Sequence, residues 1–215
     1  EHDAFSQGLR DKGVEVLHFQ TLLKEALDQP GAREFLDERL TNATQVGPAL
    51  DEPLSELVRQ ADAELLSEVL IGGVLKKDLH LPNSESLLWS YLDDYDFILT
   101  PLPNHLFQRD NTAFVYDGLS VNPMAKPARK RETLHSQTIW NFHPRFKDAG
   151  LNFYYGNDDE HHEPATVEGG DILVIGNGAV MIGMGERTTP QGVEVLTRKW
   201  FRYGQGKITK VIVVE

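Results

Sequence analysis

The spacing of apolar residues changes along the chain, and the change predicts its secondary structure. Residues 2–11 and the segment TLLKEALDQ show the helical spacing of apolar positions, whereas VEVLHF, Val14 to Phe19, predicts a strand between them. From about residue 30 to residue 92 the pattern is helical throughout, in pieces such as SESLLWSYLDD that glycine and proline separate, with no strand alternation. We therefore predict a helical insertion over residues 30–92.

The chain that follows the insertion is rich in strands. The predicted elements are strands in FILTPL, TAFVYDG and LSVNP, a helix around Arg129 to Phe142, a strand in LNFYYG, a hairpin in ILVIGNGAVMIG, a helix from Pro190 to about Tyr203 and a strand in ITKVIVVE. Asn177-Gly178 at the centre of the hairpin is a strong turn signal. The order strand, strand, helix, strand thus occurs twice, which predicts a repeated α/β architecture.

Composition and charge exclude several classes of protein. The chain has 215 residues, of which 40% are hydrophobic, and this is enough apolar material for a globular core. Its apolar runs are interrupted well short of the roughly 20 residues that cross a bilayer. We expect no secretory signal in these residues, because no basic segment is followed by an apolar one at their start. A net charge of −12 argues against a nucleic-acid partner, because phosphate binding needs clustered Lys and Arg. The absence of cysteine excludes disulfides, thiolate metal sites and a cysteine nucleophile within these residues.

Acidic residues stand at the start of two predicted strands. Asp110 follows Arg109 in PLPNHLFQRD and opens the strand TAFVY, while Glu168 and Asp171 flank the glycine pair of EGGD and open the strand ILVIG. Each copy of the repeat therefore presents acid at a corresponding place. Either acid alone is explained by turn chemistry, since aspartate accepts hydrogen bonds from nearby amides and glycine allows positive φ.

Two arginines also stand at similar places in the two copies, Arg129 after LSVNP and Arg187 after VMIGMGE. A carboxylate can hold a guanidinium through two parallel hydrogen bonds, and an arginine can hold a carboxylate in the same way. Converging carboxylates and guanidiniums would suit a small molecule that is cationic at one end and anionic at the other. Free arginine is such a molecule.

Two other charged segments favour structural interpretations. In DDEHHEP, Asp158 to Pro164, the adjacent His161 and His162 point apart on an extended chain and lack ligand spacing, so we predict no metal site. The basic run KPARKRE is typical of a solvated helix start, and we expect Arg131 to lie on the surface.

The glycines of GNG and GMG belong to a turn and a strand, because no G-x-G-x-x-G phosphate loop follows a strand into a helix.

The sequence closely resembles the arginine deiminases of the guanidine-modifying (pentein) superfamily. The resemblance covers essentially the whole chain, through EHDAF, PLPNHLFQRD, NPMAKPARKRETL, FHPRF, EGGD and MIGMGERTTPQGVEVL in family order and spacing. It implies an α/β fold, a partial five-bladed propeller of ββαβ modules formed by residues 1–29 and 93–215, with residues 30–92 as an inserted helical bundle. The implied activity is hydrolysis of L-arginine to L-citrulline and ammonia in cytoplasmic arginine catabolism, without metal or organic cofactor.

The resemblance assigns the acids to the guanidinium end of the substrate. Asp110, which ends the motif usually written FTRD, would hold the guanidinium together with Glu168 of EGGD, and these two are the catalytic candidates. Asp171 would be a supporting, substrate-binding residue. Gln108 replaces the usual threonine of the motif, and for Arg109 a salt bridge is an equal alternative to a role in the site.

The other end of the substrate is assigned to polar and basic residues. Asn104, Arg129 and Arg187 would take the α-carboxylate and backbone end of arginine. This assignment distinguishes an arginine deiminase from an agmatine deiminase, because agmatine has no carboxylate for the two arginines to bind.

The sequence departs from the family where the covalent chemistry is concerned. The family's mechanism uses a cysteine thiolate to attack the guanidinium carbon and a histidine of an HxD motif as general acid and base. This chain has no cysteine, and none of its eight histidines is followed two residues later by aspartate. The resemblance thus implies an internal fragment of an arginine deiminase, without the N-terminal start and the C-terminal HxD and cysteine segments, that is inactive by itself.

Two alternatives stay open: another pentein, such as an agmatine deiminase or amidinotransferase, and a non-catalytic domain that binds guanidino compounds. The expected partner is L-arginine, with no nucleic acid and no membrane. We also expect a homo-oligomer, because a propeller cut after about half of its modules exposes strand edges and apolar faces that pair with other chains.

Overall fold

The first 92 residues fold mainly as helices, as their apolar spacing predicts. The computed structural model describes residues 1–44, 46–79, 81, 86–158 and 160–215. In this half the helices are α1 (His2–Arg10), α2 (Phe19–Leu27), α3 (Ala32–Thr44), α4 (Pro48–Gln60), α5 (Ala63–Gly72) and α6 (Leu87–Tyr91). Asp62 begins α5 by accepting a hydrogen bond from the Leu65 amide at 2.9 Å, and this cap separates α5 from α4. Ser84 and Glu85, at the start of the predicted helix SESLLWSYLDD, lie outside the described residues.

Two sequence predictions for this half are wrong. VEVLHF is not a strand, since residues 14–18 have no regular structure and α2 begins at Phe19. A strand needs a neighbouring strand to satisfy its amides and carbonyls, and the strand pairs of the described residues do not include this segment. Conversely, the predicted helical insertion contains a short strand, β1 (Val74–Leu75), which pairs antiparallel with β2 (Phe97–Leu99). Gly73, at φ 87°, ends α5 and allows the chain to become extended there.

Two ββαβ modules follow, as predicted. The first module consists of β3 (Thr112–Val115), β4 (Gly118–Val121), α8 (Lys130–Phe142) and β5 (Asn152–Tyr155), and is preceded by the short helix α7 (Gln108–Asn111). The second module consists of β6 (Ile172–Gly176), β7 (Ala179–Gly183), α9 (Pro190–Tyr203) and β8 (Lys210–Val214). In both modules the first two strands pair antiparallel and the third pairs parallel with the second. The described residues form these two separate three-stranded sheets and no closed propeller.

The hairpin between β6 and β7 is confirmed at its predicted turn. Asn177 and Gly178 have φ values of 50° and 77°, the left-handed conformations that a type I′ turn requires at both central positions. The turn fixes the antiparallel register of the two strands, and the start of β6 then follows directly from EGGD.

Two hydrophobic cores hold the chain together. The helical core lies among α2, α3, α4 and α5 and includes Leu134 and Ile139 of α8. The second core is formed by residues of both modules, with Tyr154, Tyr155 and Trp200 as its largest buried side chains. Because α8 lines the helical core with one face and supports the first sheet with the other, it connects the bundle to the modules. The division of the chain at residues 30 and 92 stays a prediction.

Apolar side chains remain exposed on the two edge strands of the second sheet. They are Leu173, Val174, Ile175, Ile212, Val213 and Val214. Such a surface is compatible with the expected self-association, which stays a prediction. Among the described helices, none combines the length and the apolar character that crossing a membrane requires.

Candidate active site

The glycine pair of EGGD allows the second module to approach α7. A Cβ atom on Gly169 would lie 2.0 Å from the carbonyl oxygen of Arg109, and one on Gly170 would lie 2.6 Å from Oδ1 of Asp110. At such distances neither position accepts a side chain without a shift of its neighbour. The glycines therefore bring Asp110 of α7 against the turn that carries Glu168, and the two predicted acids belong to one site.

Arg109 fastens this contact through the main chain. Its Nε donates to the carbonyl of Gly169 at 3.2 Å, and its Nη2 donates to the carbonyl of Ile172 at 2.7 Å. In the described part of the chain its hydrogen bonds go to these carbonyls. The salt bridge that the sequence left as an alternative for Arg109 is not formed there, and the residue instead stabilises the EGGD turn.

Arg129 occupies the centre of the site and is surrounded by carboxylates. Its Nη1 donates to Oδ2 of Asp110 at 2.9 Å and lies 3.6 Å from Oε2 of Glu168. Its Nε and Nη2 each donate to one oxygen of Glu132 at 2.8 Å. The hydrogen bonds that Arg129 donates to Glu132, and then the one to Asp110, hold its pKa above the ordinary value. With only 5% of its side chain exposed, Arg129 is a fixed internal cation.

Sequence reasoning missed Glu132, whose side chain is completely buried. The signal was present, because residues three apart at the start of a helix are neighbours on its surface, and an Arg and a Glu at that spacing form a pair. The two parallel hydrogen bonds of this pair fix the plane of the Arg129 guanidinium.

Glu168 is the buried acid on the other side of Arg129. Its Oε2 accepts a hydrogen bond from Nη1 of Arg187 at 3.3 Å. Its Oε1 is buried and has no hydrogen-bond partner among the described residues. Burial raises the pKa of Glu168, against the opposing effect of Arg187 and Arg129. An unpaired buried acceptor of this kind is costly unless a ligand donates to it.

Asp171 binds a threonine that the sequence did not predict as part of the site. The Oγ1 hydroxyl of Thr188 donates to Oδ2 of Asp171 at 2.5 Å. Oγ1 of Thr188 also accepts a hydrogen bond from the Glu168 amide at 3.0 Å. Thr188 is completely buried, so this connection is shielded from water.

The remaining two predicted residues, Arg187 and Asn104, are exposed. About half of the Arg187 side chain is exposed, 51%, and its hydrogen bond to Glu168 leaves donors free. Asn104 is exposed, and its main-chain carbonyl accepts a hydrogen bond from Nη2 of Arg129 at 3.4 Å. The structure thus brings together all six residues that the sequence proposed, with Arg187 the more accessible of the two arginines.

The charges of the site do not cancel. It contains four carboxylates and three guanidiniums, namely those of Asp110, Glu132, Glu168, Asp171, Arg109, Arg129 and Arg187. When all are ionised, one negative charge is left over, around the buried Arg129, Glu132 and Glu168. The arrangement therefore favours a cationic ligand.

The family model described as arginine deiminase matches residues 1–215. The chain belongs to the arginine deiminase family. It is also similar to solved structures of dimethylarginine dimethylaminohydrolase. One is an adduct with S-methyl-L-thiocitrulline, at 21% identity and a TM-score of 0.40, with 54% of this chain and 42% of that chain covered. Another is an adduct with 4-chloro-2-hydroxymethylpyridine, at 22% identity and a TM-score of 0.39, with 57% and 46% covered.

A third similar structure is the enzyme from Pseudomonas aeruginosa complexed with citrulline, at 21% identity and a TM-score of 0.39, with 54% of this chain and 42% of that chain covered. The matched region thus spans less than half of each of these chains. The arginine deiminase family is one of guanidine-modifying hydrolases.

In this member of the arginine deiminase family, the expectation that Arg131 lies on the surface is wrong. Arg131 is 5% exposed and donates to the carbonyl of Thr100, and its Nε is buried without a partner among the described residues. Its side of the first turn of α8 packs against the rest of the protein, whereas Lys130 of the same turn keeps 40% of its side chain exposed. Burial lowers the pKa of Arg131 to about 10.

Two buried histidines lie beside Arg131. Nε2 of His105 and Nδ1 of His135 are 3.0 Å apart and share a hydrogen bond. Burial lowers the pKa of His105 to about 4 and that of His135 well below its ordinary value. Both rings are therefore neutral at pH 7, and each already uses a nitrogen in their mutual contact.

The segment DDEHHEP brings three possible ligands closer together than its sequence indicates. Asp158, Glu160 and His162 each offer one ligand atom, and these atoms lie within 4.8 Å of one another. His162 is already bonded to Asp158 at 2.7 Å, and Nζ of Lys199 lies 4.0 Å from the same carboxylate. Asp159 of this segment lies outside the described residues, and the absence of a metal there stays a prediction.

We expect replacement of Glu168 by glutamine to raise the free energy of unfolding at neutral pH. Burial raises the pKa of Glu168 in the folded state. The contribution of this carboxyl group to the free energy of unfolding is therefore fully present below the ordinary pKa of glutamate, and it is lost as the pH rises through the folded-state pKa. An amide does not ionise, so the variant escapes this loss. Urea unfolding between about pH 4 and pH 8 should show a difference that grows with pH. A variant that is less stable than the wild type at pH 8 would contradict the argument.

Proposed function

We propose that this chain is part of an arginine deiminase, an enzyme that hydrolyses L-arginine to L-citrulline and ammonia, and that it supplies the substrate-binding half of the site. The observation that carries the proposal is the buried, unpartnered Oε1 of Glu168 beside the carboxylate of Asp110. A guanidinium presents N–H donors in one plane, and two acids on opposite sides of it can each accept one of them.

The internal arginines leave one oxygen of each acid for the ligand. Oδ2 of Asp110 is bonded to Arg129, and Oε2 of Glu168 is bonded to Arg187. Oδ1 of Asp110, over Gly170, and Oε1 of Glu168 are the oxygens that a substrate guanidinium would meet. The surplus negative charge of the site favours such a cation over a neutral amide such as citrulline.

The other end of the substrate falls to Arg187 in this proposal. Arg129, which the resemblance pairs with Arg187 for this role, has its donors directed to Asp110 and Glu132. The guanidinium of Arg187 is half exposed and can hold a carboxylate while it keeps its hydrogen bond to Glu168. Asn104 is exposed next to Arg129, and its side-chain amide can donate to the backbone end of the substrate.

The covalent step of the reaction needs groups that residues 1–215 do not contain. There is no cysteine in the sequence, and the buried His105 and His135 are neutral and bonded to each other. We therefore assign binding and orientation of the guanidinium to this chain, and we expect the purified chain to form no citrulline by itself.

The proposal is tested by ligand preference. We expect the purified 215-residue chain to bind L-arginine about tenfold more tightly than agmatine, a difference of about 1.4 kcal/mol, because only arginine offers a carboxylate to Arg187. Arg187→Gln should weaken arginine binding and bring the two affinities close together. Asp110→Asn should weaken the binding of both ligands. Isothermal titration calorimetry measures all of these affinities.

Arg198→Gln is the matched control, because Arg198 is exposed on α9 outside the site. It should leave both affinities unchanged. Tighter binding of agmatine than of arginine by the wild-type chain would favour an agmatine-modifying relative instead. An Arg187→Gln variant that keeps the wild-type preference would overturn the role assigned to Arg187.

A further inference from the structure

Thr188 connects the two ends of the site through its hydroxyl and its main chain. We propose that Thr188 and Asp171 are positioning residues. They hold the Glu168 carboxylate and the Arg187 guanidinium at positions where one ligand can contact both groups. The proposal rests on the function proposed above. It replaces the substrate contact that the resemblance assigns to Asp171 with an indirect role.

The direction of the hydrogen bonds follows from the donors available. A threonine hydroxyl has one hydrogen, and an ionised carboxylate only accepts. The hydrogen of Thr188 therefore goes to Asp171, and a lone pair of the same oxygen receives the Glu168 amide. Asp171 thus fixes the rotation of the hydroxyl, and the hydroxyl fixes the main chain of Glu168.

The main chain around Thr188 places Arg187 in the same way. The carbonyl of Arg187 accepts a hydrogen bond from Oγ1 of Thr166 at 2.9 Å, and the Thr189 amide donates to the carbonyl of Thr166 at 3.1 Å. The segment before β6 and the segment before α9 are therefore bonded to each other on both sides of Thr188. Because Glu168 and Arg187 belong to these two segments, their side chains meet at 3.3 Å.

Loss of the hydroxyl would leave two groups without partners. In Thr188→Val, a variant of nearly the same shape, the Glu168 amide loses its acceptor and Asp171 loses its donor. Both segments are then free to move, and each carries one end of the ligand site. Thr188→Ser keeps the hydroxyl and should restore the arrangement, although it removes a methyl group.

The experiment measures the binding of methylguanidinium, which has only the cationic end, and of L-arginine to the whole chain by calorimetry. Thr188→Val should weaken the binding of methylguanidinium about tenfold and that of L-arginine more than tenfold, since arginine also uses Arg187. Thr188→Ser should stay within about twofold of the wild type. Asp171→Ala should weaken binding as Thr188→Val does, and the double variant should lose no more than either single variant, because both act through one connection.

Several results would overturn the inference. Wild-type affinity in Thr188→Val, affinity in Thr188→Ser as weak as in Thr188→Val, or additive losses in the double variant would each do so. If Thr188→Val does not fold, Asp171→Ala decides, and wild-type affinity in that variant also overturns the inference. Failure of the wild-type chain to bind methylguanidinium at all would instead refute the proposed function, and this inference with it.

Discussion

Replacement of Arg129 by methionine is expected to lower the free energy of unfolding at pH 7 by about 3–5 kcal/mol, the usual effect of removing one partner from a buried ion pair. Methionine retains the apolar stem of the arginine but removes the guanidinium. Three acids then lose the cation that lies between them. In the wild type, nitrogens of Arg129 are 2.8 to 3.6 Å from carboxylate oxygens of Asp110, Glu132 and Glu168. Arg187 stays bonded to Glu168, but Arg129 is the ion-pair partner of Asp110 and Glu132 among the described residues, so the loss is compensated only in part.

The same substitution should make stability strongly dependent on pH. Burial already raises the pKa of Glu168, and the variant loses the charge of Arg129 that opposes this rise. The folded variant therefore binds more protons at Glu168 than the unfolded chain does. Stability then falls as the pH rises, and the difference from the wild type should shrink as the pH is lowered towards about 5. Urea unfolding followed by circular dichroism at several pH values measures this difference.

Arg145→Met is the control for Arg129→Met. Arg145 also binds a carboxylate through two hydrogen bonds, those to Glu15, but this pair lies at the surface. Exposed pairs contribute little to stability, so the control should leave unfolding nearly unchanged. An Arg129→Met variant as stable as the Arg145→Met variant, or a loss that does not vary with pH, would refute the central role given to Arg129.

The two glycines of EGGD should respond differently to alanine. The new Cβ of Gly169→Ala would meet the main-chain oxygen of Arg109 at 2.0 Å, and only movement of α7 or of the turn relieves this contact. We expect a loss of about 3 kcal/mol in the free energy of unfolding. The new Cβ of Gly170→Ala would meet the side chain of Asp110 at 2.6 Å, which can rotate away. Its stability loss should be about 1 kcal/mol, but the displaced carboxylate should no longer bind methylguanidinium.

Gly185→Ala serves as the control for both glycine variants, because no atom lies within 4 Å of a Cβ built at that position. Its unfolding and its affinity for methylguanidinium should match those of the wild type. Chemical denaturation and calorimetry on the three variants separate the two effects. A greater stability loss in Gly170→Ala than in Gly169→Ala would contradict the contacts described at the turn.

The modules could be predicted from the sequence because the signals for them are local. Alternating apolar residues, the Asn177-Gly178 turn and the start of α9 at Pro190 all lie within a few residues of the elements that they define. The strand predicted in VEVLHF failed for the opposite reason, since a strand exists only with a partner. The β1–β2 pair was missed at Val74–Leu75 because its partner is more than twenty residues away in the sequence.

The candidate site was predicted as a set of charges but not as a structure. Asp110 and Glu168 were found because acids at strand starts are conspicuous, and the arginines because they follow the same repeat. Thr188 was missed because its importance lies in two hydrogen bonds to residues that are 17 and 20 positions away.

The surface position expected for Arg131 failed for a different reason. Apolar residues usually mark the buried side of a helix. In the first turn of α8, however, the buried residues Arg131 and Glu132 are charged, while Lys130 keeps 40% of its side chain exposed. Leu134 and Ile139 pack into the helical core, while Ser136 donates to Asn111 at 2.7 Å on the side of the first sheet. Polar residues on such a helix become buried without any sign in the apolar pattern.

The site lies across the seam between two separately paired sheets. Asp110 precedes the strands of the first module, and Glu168 precedes those of the second, so a cation held between them touches both. Such a ligand acts as a removable cross-link. At one hundred times its dissociation constant it would oppose separation of the modules by about 2.7 kcal/mol, and amide hydrogens along the seam would exchange with solvent more slowly. Binding at the site would then stabilise the contact between the two modules, and slower exchange would be seen even at strands that do not contact the ligand.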